Sequence, residues 1–288
     1  MLGNPRKSDV KSRFKTKRLL IFQIVRWNME FGLSTACMYP EILEQVIECY
    51  GKLGISQLEI FFNTFSELSK EYVRELKKRV DFYGMTVCSV HPFTSGLEPL
   101  MLFSEYERRI GDMLDLYKRF FEAMQFLEAK VFVFHGDNRA NERSAALYAE
   151  RYQKLYRCGK EYGVIVAQEN IVRCKSGDLD FLKELKCLLG KEIAFVFDIK
   201  QAVRSGYDPM EVLQVMGDQT VHLHLNDHLP GKDCLLPGCG RFDFSGCIRY
   251  LREIGNIPTM VVEVYHNNYK LPIELAESLK FLFNICDC

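Results

Sequence analysis

Over residues 29–286 the hydrophobic period switches repeatedly between about two and about 3.6, and few folds accommodate that rhythm. Short strand-like runs fall at 29–37, 57–62, 85–90, 130–134, 164–168, 193–197, 221–227 and 259–264. Helical patterns separate them. The first starts at Pro40 and places Ile42, Leu43, Val46, Ile47 and Tyr50 on one face. The second is capped by Ser69, buries Val73, Leu76, Val80 and Tyr83, and stops at Gly84. A capping-box pattern, Ser104-Glu105-Tyr106-Glu107, predicts a helix from 104 to 127. Further helices are expected at 142–162, 179–189, 208–216 (with Pro209 in its first turn), 244–255 and 272–286. Eight strands alternating with eight helices predict one (β/α)8 TIM barrel over residues 29–288. An open doubly wound sheet is disfavoured, because no glycine-rich dinucleotide fingerprint follows the first strand.

Composition narrows the class. The net charge is zero, with 38 basic and 38 acidic residues, but it is unevenly spread. Residues 1–28 hold eight Lys/Arg and one acid, Asp9, which leaves 30 basic and 37 acidic residues, a net of −7, for the rest. An acidic body argues against a nucleic-acid surface. The basic segment 1–28 is expected to be a mobile extension upstream of the catalytic domain. No uninterrupted apolar run approaches the ~18–20 residues of a membrane span. Eleven scattered cysteines without a Cys-x-x-Cys suit free thiols in a reducing cytoplasm.

The chemistry gathers at strand ends. All six histidines, His91, His135, His222, His224, His228 and His266, fall at or shortly after a predicted strand end. In a barrel that is the face where active sites form. Three acids follow apolar runs in the same way: Glu169 after VIVAQ, Asp198 after IAFVF and Glu263 after MVV. A carboxylate there is costly unless it is paired, hydrogen-bonded or metal-bound. Glu169, Asp198, His224 and Glu263 come from strands adjacent in the ring. Together they suit a divalent cation such as Mn²⁺, Mg²⁺ or Co²⁺, with Zn²⁺ as a further option. In VHLHLND, His222 points the same way as His224 but one layer deeper, as a barrel histidine satisfied by hydrogen bonds would.

These segments resemble the xylose isomerase-like barrels, which include sugar and sugar-phosphate isomerases and epimerases, inosose dehydratases and apurinic-site endonucleases. GLSTACMYP, LEIFFNT, SVHPF, VFVFHGD, AQEN, FVFDIKQ, HLHLND, PGCGRFDF and VVEVY carry the resemblance, in this order, over roughly residues 29–288. It implies a metal held by Glu169, Asp198, His224 and Glu263, and a substrate pocket lined by His91 and His135. Asn170 and Asp227 would serve in or behind that pocket, with Lys200, Gln201, His228 and Arg241 as further substrate contacts. The endonuclease branch carries Asp-x-x-His at the sixth strand and Asp-x-His after the seventh. Gln201 stands in place of the first of those histidines, and residues 232–236 contain none. DNA repair is therefore disfavoured.

The expected activity is isomerisation or epimerisation of a sugar or sugar phosphate by proton transfer next to a carbonyl, through a metal-stabilised enediolate. Glu169 and Glu263 would act as base and acid. Inosose-type dehydration on the same site is the alternative, ahead of a non-catalytic carbohydrate-binding barrel. Arg173, Lys200 and Arg241 are the cations available to a phosphate. Neither nucleic acid nor membrane is an expected partner, and a homo-oligomer is compatible with the chain.

Overall fold

A computed structural model describes residues 29–286. The predicted basic extension, 1–28, lies outside the described residues. The strands are β1 (Phe31–Ser34), β2 (Gln57–Phe61), β3 (Thr86–His91), β4 (Val131–Phe134), β5 (Ile165–Glu169), β6 (Phe195–Asp198), β7 (Thr220–Leu225), β8 (Asp227–Leu229), β9 (Lys232–Leu235) and β10 (Thr259–Val262). β1 to β7 and β10 pair in parallel and close on themselves, β10 lying between β7 and β1. The (β/α)8 barrel read from the sequence is the fold of the protein.

Helices α1 (Leu43–Lys52), α2 (Lys70–Phe82), α3 (Glu98–Met101), α4 (Glu107–Leu127), α5 (Ala145–Glu161), α6 (Leu179–Leu189), α7 (Ile199–Arg204), α8 (Pro209–Met216), α9 (Phe244–Glu253) and α10 (Pro272–Cys286) join the strands. The longer ones lay an apolar stripe on the barrel. In α1 it is Leu43, Val46, Ile47 and Tyr50, the i, i+3, i+4, i+7 spacing of one helical face. Tyr117, Phe120 and Phe121 of α4 pack edge-on against Phe132 of β4, with ring centroids 5.3–5.6 Å apart.

Strand alternation decides what the barrel encloses. Leu58, Ile60, Phe195, Phe197, Leu223, Met260 and Val262 join the main core under the helices. Their neighbours must therefore turn inward. Val131, Val133, Ala167, Ala194 and Val196 form a separate small apolar cluster. Glu59, Ser89, His222 and His224 are the polar members of the inward set, and all four are buried. The interior is thus apolar on one flank and polar on the other.

Several local expectations change. Residues 35–38 leave the first strand for a 3₁₀ turn, because Ser34 Oγ accepts the Ala36 N–H at 3.3 Å and starts a helical cap. Pro40 does not open a helix: α1 begins at Leu43, and Ile42 is exposed. α4 begins at Glu107, three residues later than predicted. Ser104 Oγ binds Tyr106 N at 3.1 Å, so the capping pattern makes a local turn instead. The short helices α3 and α7 and the β8–β9 hairpin were not anticipated; each is too brief to show a period.

Candidate active site

The four residues expected to share a cation arrive at one point. Glu169 ends β5, Asp198 ends β6, and His224 lies inward on β7. Glu263 follows β10 directly, its N–H donated to Leu225 O at 3.0 Å. Register puts Asp198 beside His224 and His224 beside Val261. One donor atom from each of the four lies within 4.8 Å of the others. His224 Nδ1 is 3.1 Å from Glu169 Oε1, 3.5 Å from Glu263 Oε2 and 3.8 Å from Asp198 Oδ2.

Asp198 is held from three sides. The Asn170 amide spans its backbone, donating to Asp198 O at 3.0 Å and accepting its N–H at 2.7 Å. Oδ1 accepts from Asn226 Nδ2 at 3.0 Å and from Gln201 N at 3.3 Å, the latter capping α7. Oδ2 is buried, has no aligned hydrogen bond, and faces Lys200 Nζ at 3.0 Å. The same ammonium lies 2.7 Å from Glu263 Oε2 and 5.3 Å above the Tyr265 ring.

The charges follow from this packing. Burial alone would neutralise Lys200, but Asp198 and Glu263 outweigh it and raise its pKa well above the ordinary value. Burial likewise opposes ionisation of Asp198 and Glu263. Lys200 is the main opposing cause for each and holds both below the usual carboxylate range. At His224 burial opposes an imidazolium, but Glu59 and Glu263 prevail and raise its pKa well above normal. His91 runs the other way: burial, helped by His135, lowers its pKa.

A cavity of about 320 Å³ opens onto this cluster, within the ~300–1,000 Å³ typical of small-ligand sites. His91, His135, Glu169, Lys200, Gln201 and Glu263 supply its polar wall, and Tyr39, Phe61, Phe93, Ile171 and Tyr265 its apolar one. His91 Nδ1 faces the Pro92 carbonyl at 3.3 Å, which only an N–H can do. Its Nε2 lies 4.0 Å from Glu169 Oε2 and 3.8 Å from Glu263 Oε1. A second cavity of about 640 Å³ adjoins, sharing Ser95 and Arg173 as walls.

Four expected contacts lie off the main cavity wall. Asp227 is consumed by the backbone: it accepts from His228 N, Gly238 N, Gly240 N and Phe242 N at 2.8–3.1 Å. It shapes the loop, each of its oxygens taking two backbone N–H groups. Asn170 is spent on Asp198. His228 and Arg241 belong to the loop that Asp227 folds, where Arg241 N donates to His228 O at 3.0 Å.

Two buried glutamates escaped the sequence reading. Glu59 of β2 accepts from Ser89 Oγ at 2.8 Å and meets Nε2 of His222 and His224 at 3.1 and 3.2 Å. Glu98 of α3 meets His135 Nδ1 at 3.2 Å and accepts Gly136 N at 2.5 Å. For Glu59 the signal was present: a carboxylate inside the apolar run QLEIF needs a partner as much as one at a strand end does. Glu98 gives no such signal in GLEPL, where a glycine and a proline mark a turn and no strand pattern surrounds it.

The residues fit a divalent cation on two observations. Asp198 Oδ2 is a buried oxygen without an aligned donor, directed at the cluster. With His224 neutral, as a metal ligand must be, three carboxylates against the Lys200 ammonium leave two negative charges on this face, which one dication balances in place of the His224 proton.

Residues 50–285 match the family model of the xylose isomerase-like TIM barrel. An uncharacterised protein of Mycobacterium tuberculosis is 25% identical over 278 residues, covering 88% of this chain and 96% of its own. A D-tagatose 3-epimerase-like protein superposes with a TM-score of 0.72 at 22% identity, covering 90% of this chain and 98% of that one. The 3-keto-D-glucoside 4-epimerase of E. coli superposes with a TM-score of 0.71 at 17% identity, covering 89% and 99%. At such identities the structural likeness speaks for the fold. No helix among the described residues is long and apolar enough to cross a membrane. The chain belongs to the xylose isomerase-like TIM-barrel family.

Proposed function

We propose that the protein is a divalent-metal-dependent isomerase or epimerase of a sugar or sugar phosphate. The observation that carries this reading is the convergence of Glu169, Asp198, His224 and Glu263 to within 4.8 Å beneath a cavity of ligand size. These four residues would hold the cation. When bound, it supplies positive charge to a substrate carbonyl and acidifies the neighbouring C–H. The folds of sugar epimerases superpose on this chain, which supports the same reaction class.

The chain's own groups do the proton work. Lys200 holds Glu263 ionised, so this carboxylate accepts a proton from carbon. Glu169, within 4.0 Å of His224 and His91, would be the acid: entering the cycle protonated, it would give its proton to the opposite face and regain one from solvent as Glu263 releases its own. Removal from one face of a carbon and return to its opposite face is epimerisation; return to the neighbouring carbon is isomerisation. His91, neutral and with Nδ1–H committed to Pro92, offers the Nε2 lone pair to a substrate hydroxyl. Tyr39, Phe61, Phe93 and Tyr265 offer the carbon side of a sugar an apolar wall.

Calorimetric titration with Mn²⁺ tests the assignment. The native chain should bind one ion, and Asp198→Asn or His224→Gln should weaken binding by about 100-fold or more. A native chain that binds no Mn²⁺, Co²⁺ or Zn²⁺, or variants that bind as it does, would refute it.

A further inference from the structure

We infer that Glu59, reaching across the barrel from β2, is the positioning residue that fixes the orientation and the protonated nitrogen of His224, and so sets the affinity of the mouth for a divalent cation. The inference rests on the proposed cation site and adds a residue that lies outside it.

Glu59 is wholly buried in the barrel interior. An ionised carboxylate only accepts hydrogen bonds, so each nitrogen that faces Oε2 must present an N–H. His224 Nε2, at 3.2 Å, therefore carries an N–H, and keeps it when Nδ1 gives up its own proton to a cation. Nδ1 is turned to Glu169, Glu263 and Asp198 at 3.1–3.8 Å; without a cation it carries a proton for Glu169, and a cation would take the place of that proton. A ring flip would aim the wrong nitrogen at the mouth. The opposite tautomer would set a lone pair against the Glu59 carboxylate.

The rest of the network keeps Glu59 in place. Its Oε2 also takes the Ser89 hydroxyl at 2.8 Å and His222 Nε2 at 3.1 Å. His222 is anchored at its other nitrogen by Thr259 Oγ1 at 2.6 Å, and its ring meets the His224 ring edge-on at 5.2 Å. Neither imidazole of β7 can turn without breaking a buried hydrogen bond. A glutamine would keep one acceptor but lose the charge. It would also set an NH₂ where Oε1 now lies without a partner. Partners of this kind behind metal-binding histidines are worth ~10–100-fold in affinity.

The test uses the full chain with Glu59→Gln and Glu59→Leu, folding checked by circular dichroism. Zn²⁺ affinity is measured by chelator competition, and the Zn²⁺-loaded native protein is labelled with ¹⁵N-histidine for NMR. The expected results are a single, slowly exchanging His224 proton on Nε2, an affinity loss of about tenfold for Gln, and about 100-fold for Leu. A proton on Nδ1 in the Zn²⁺-loaded native protein, or a folded Gln variant with native affinity, would overturn the inference. If Leu does not fold, the Gln variant and the native spectrum decide. Failure of the native protein to bind Zn²⁺ sinks the cation site and this inference with it. Native binding with unchanged variants removes Glu59's role alone.

Discussion

Lys200 Nζ sits 3.0 Å from Asp198 Oδ2 and 2.7 Å from Glu263 Oε2, all three groups deep in the mouth of the barrel. Each loses water that the others must replace, so removing the ammonium strands two carboxylates. Lys200→Met should therefore destabilise the cation-free protein by about 3–5 kcal/mol. It also removes a charge that competes with a dication, so Mn²⁺ should raise the melting temperature of the variant more than that of the native chain. Thermal unfolding with and without Mn²⁺ reads both effects. An unchanged cation-free melting temperature would show that the pair contributes nothing. At this scale the sequence displayed the carboxylates at strand ends, because an acid that closes a largely apolar run is conspicuous. It did not display where Lys200 and Gln201 point, since α7 is too brief to show a period from which to read a direction. Glu59 was conspicuous as an acid inside QLEIF, but the sequence did not display its partner, since His224 is 165 residues away.

The connections above the strands show how one carboxylate can organise an element. Asp227 gathers four backbone N–H groups from residues 228–242 and so closes the loop that carries β8 and β9. Gly240 permits the approach: a side chain there would collide with the Asp227 carboxylate and the His228 carbonyl. Asp227→Ala should cost about 2–4 kcal/mol and open the hairpin to proteolysis near Gly231. Urea unfolding and limited trypsin digestion measure the two effects, and native resistance to both would deny the loop-closing role. Helices such as α1, α2 and α6 were legible because their apolar spacing persists for several turns. The Asp227 loop was not. Its carboxylate faces the backbone, and the sequence HLND looks the same whether the acid points to a ligand or to N–H groups.

Across the whole molecule, the β/α alternation was enough to give the closed barrel, and the barrel then gave the candidate site by bringing strands 5, 6, 7 and the last into one arc. What closure did not disclose is that the interior itself is polar on one flank, with Ser89, Glu59, His222 and His224 linked through its centre. Such cross-barrel pairs depend on shear and strand tilt, which no local pattern encodes. The central claim is that this arrangement moves a proton next to a carbonyl with a bound cation. The most direct measurement follows C–H exchange by proton NMR in D₂O, with Mn²⁺ added and removed before acquisition, over a panel of ketoses, inososes and sugar phosphates. The account predicts that at least one substrate loses its C–H signal beside the carbonyl, that chelation stops the exchange, and that Glu263→Gln abolishes it while leaving the fold intact. Wild-type exchange rates in Glu263→Gln, or exchange indifferent to chelator, would contradict it.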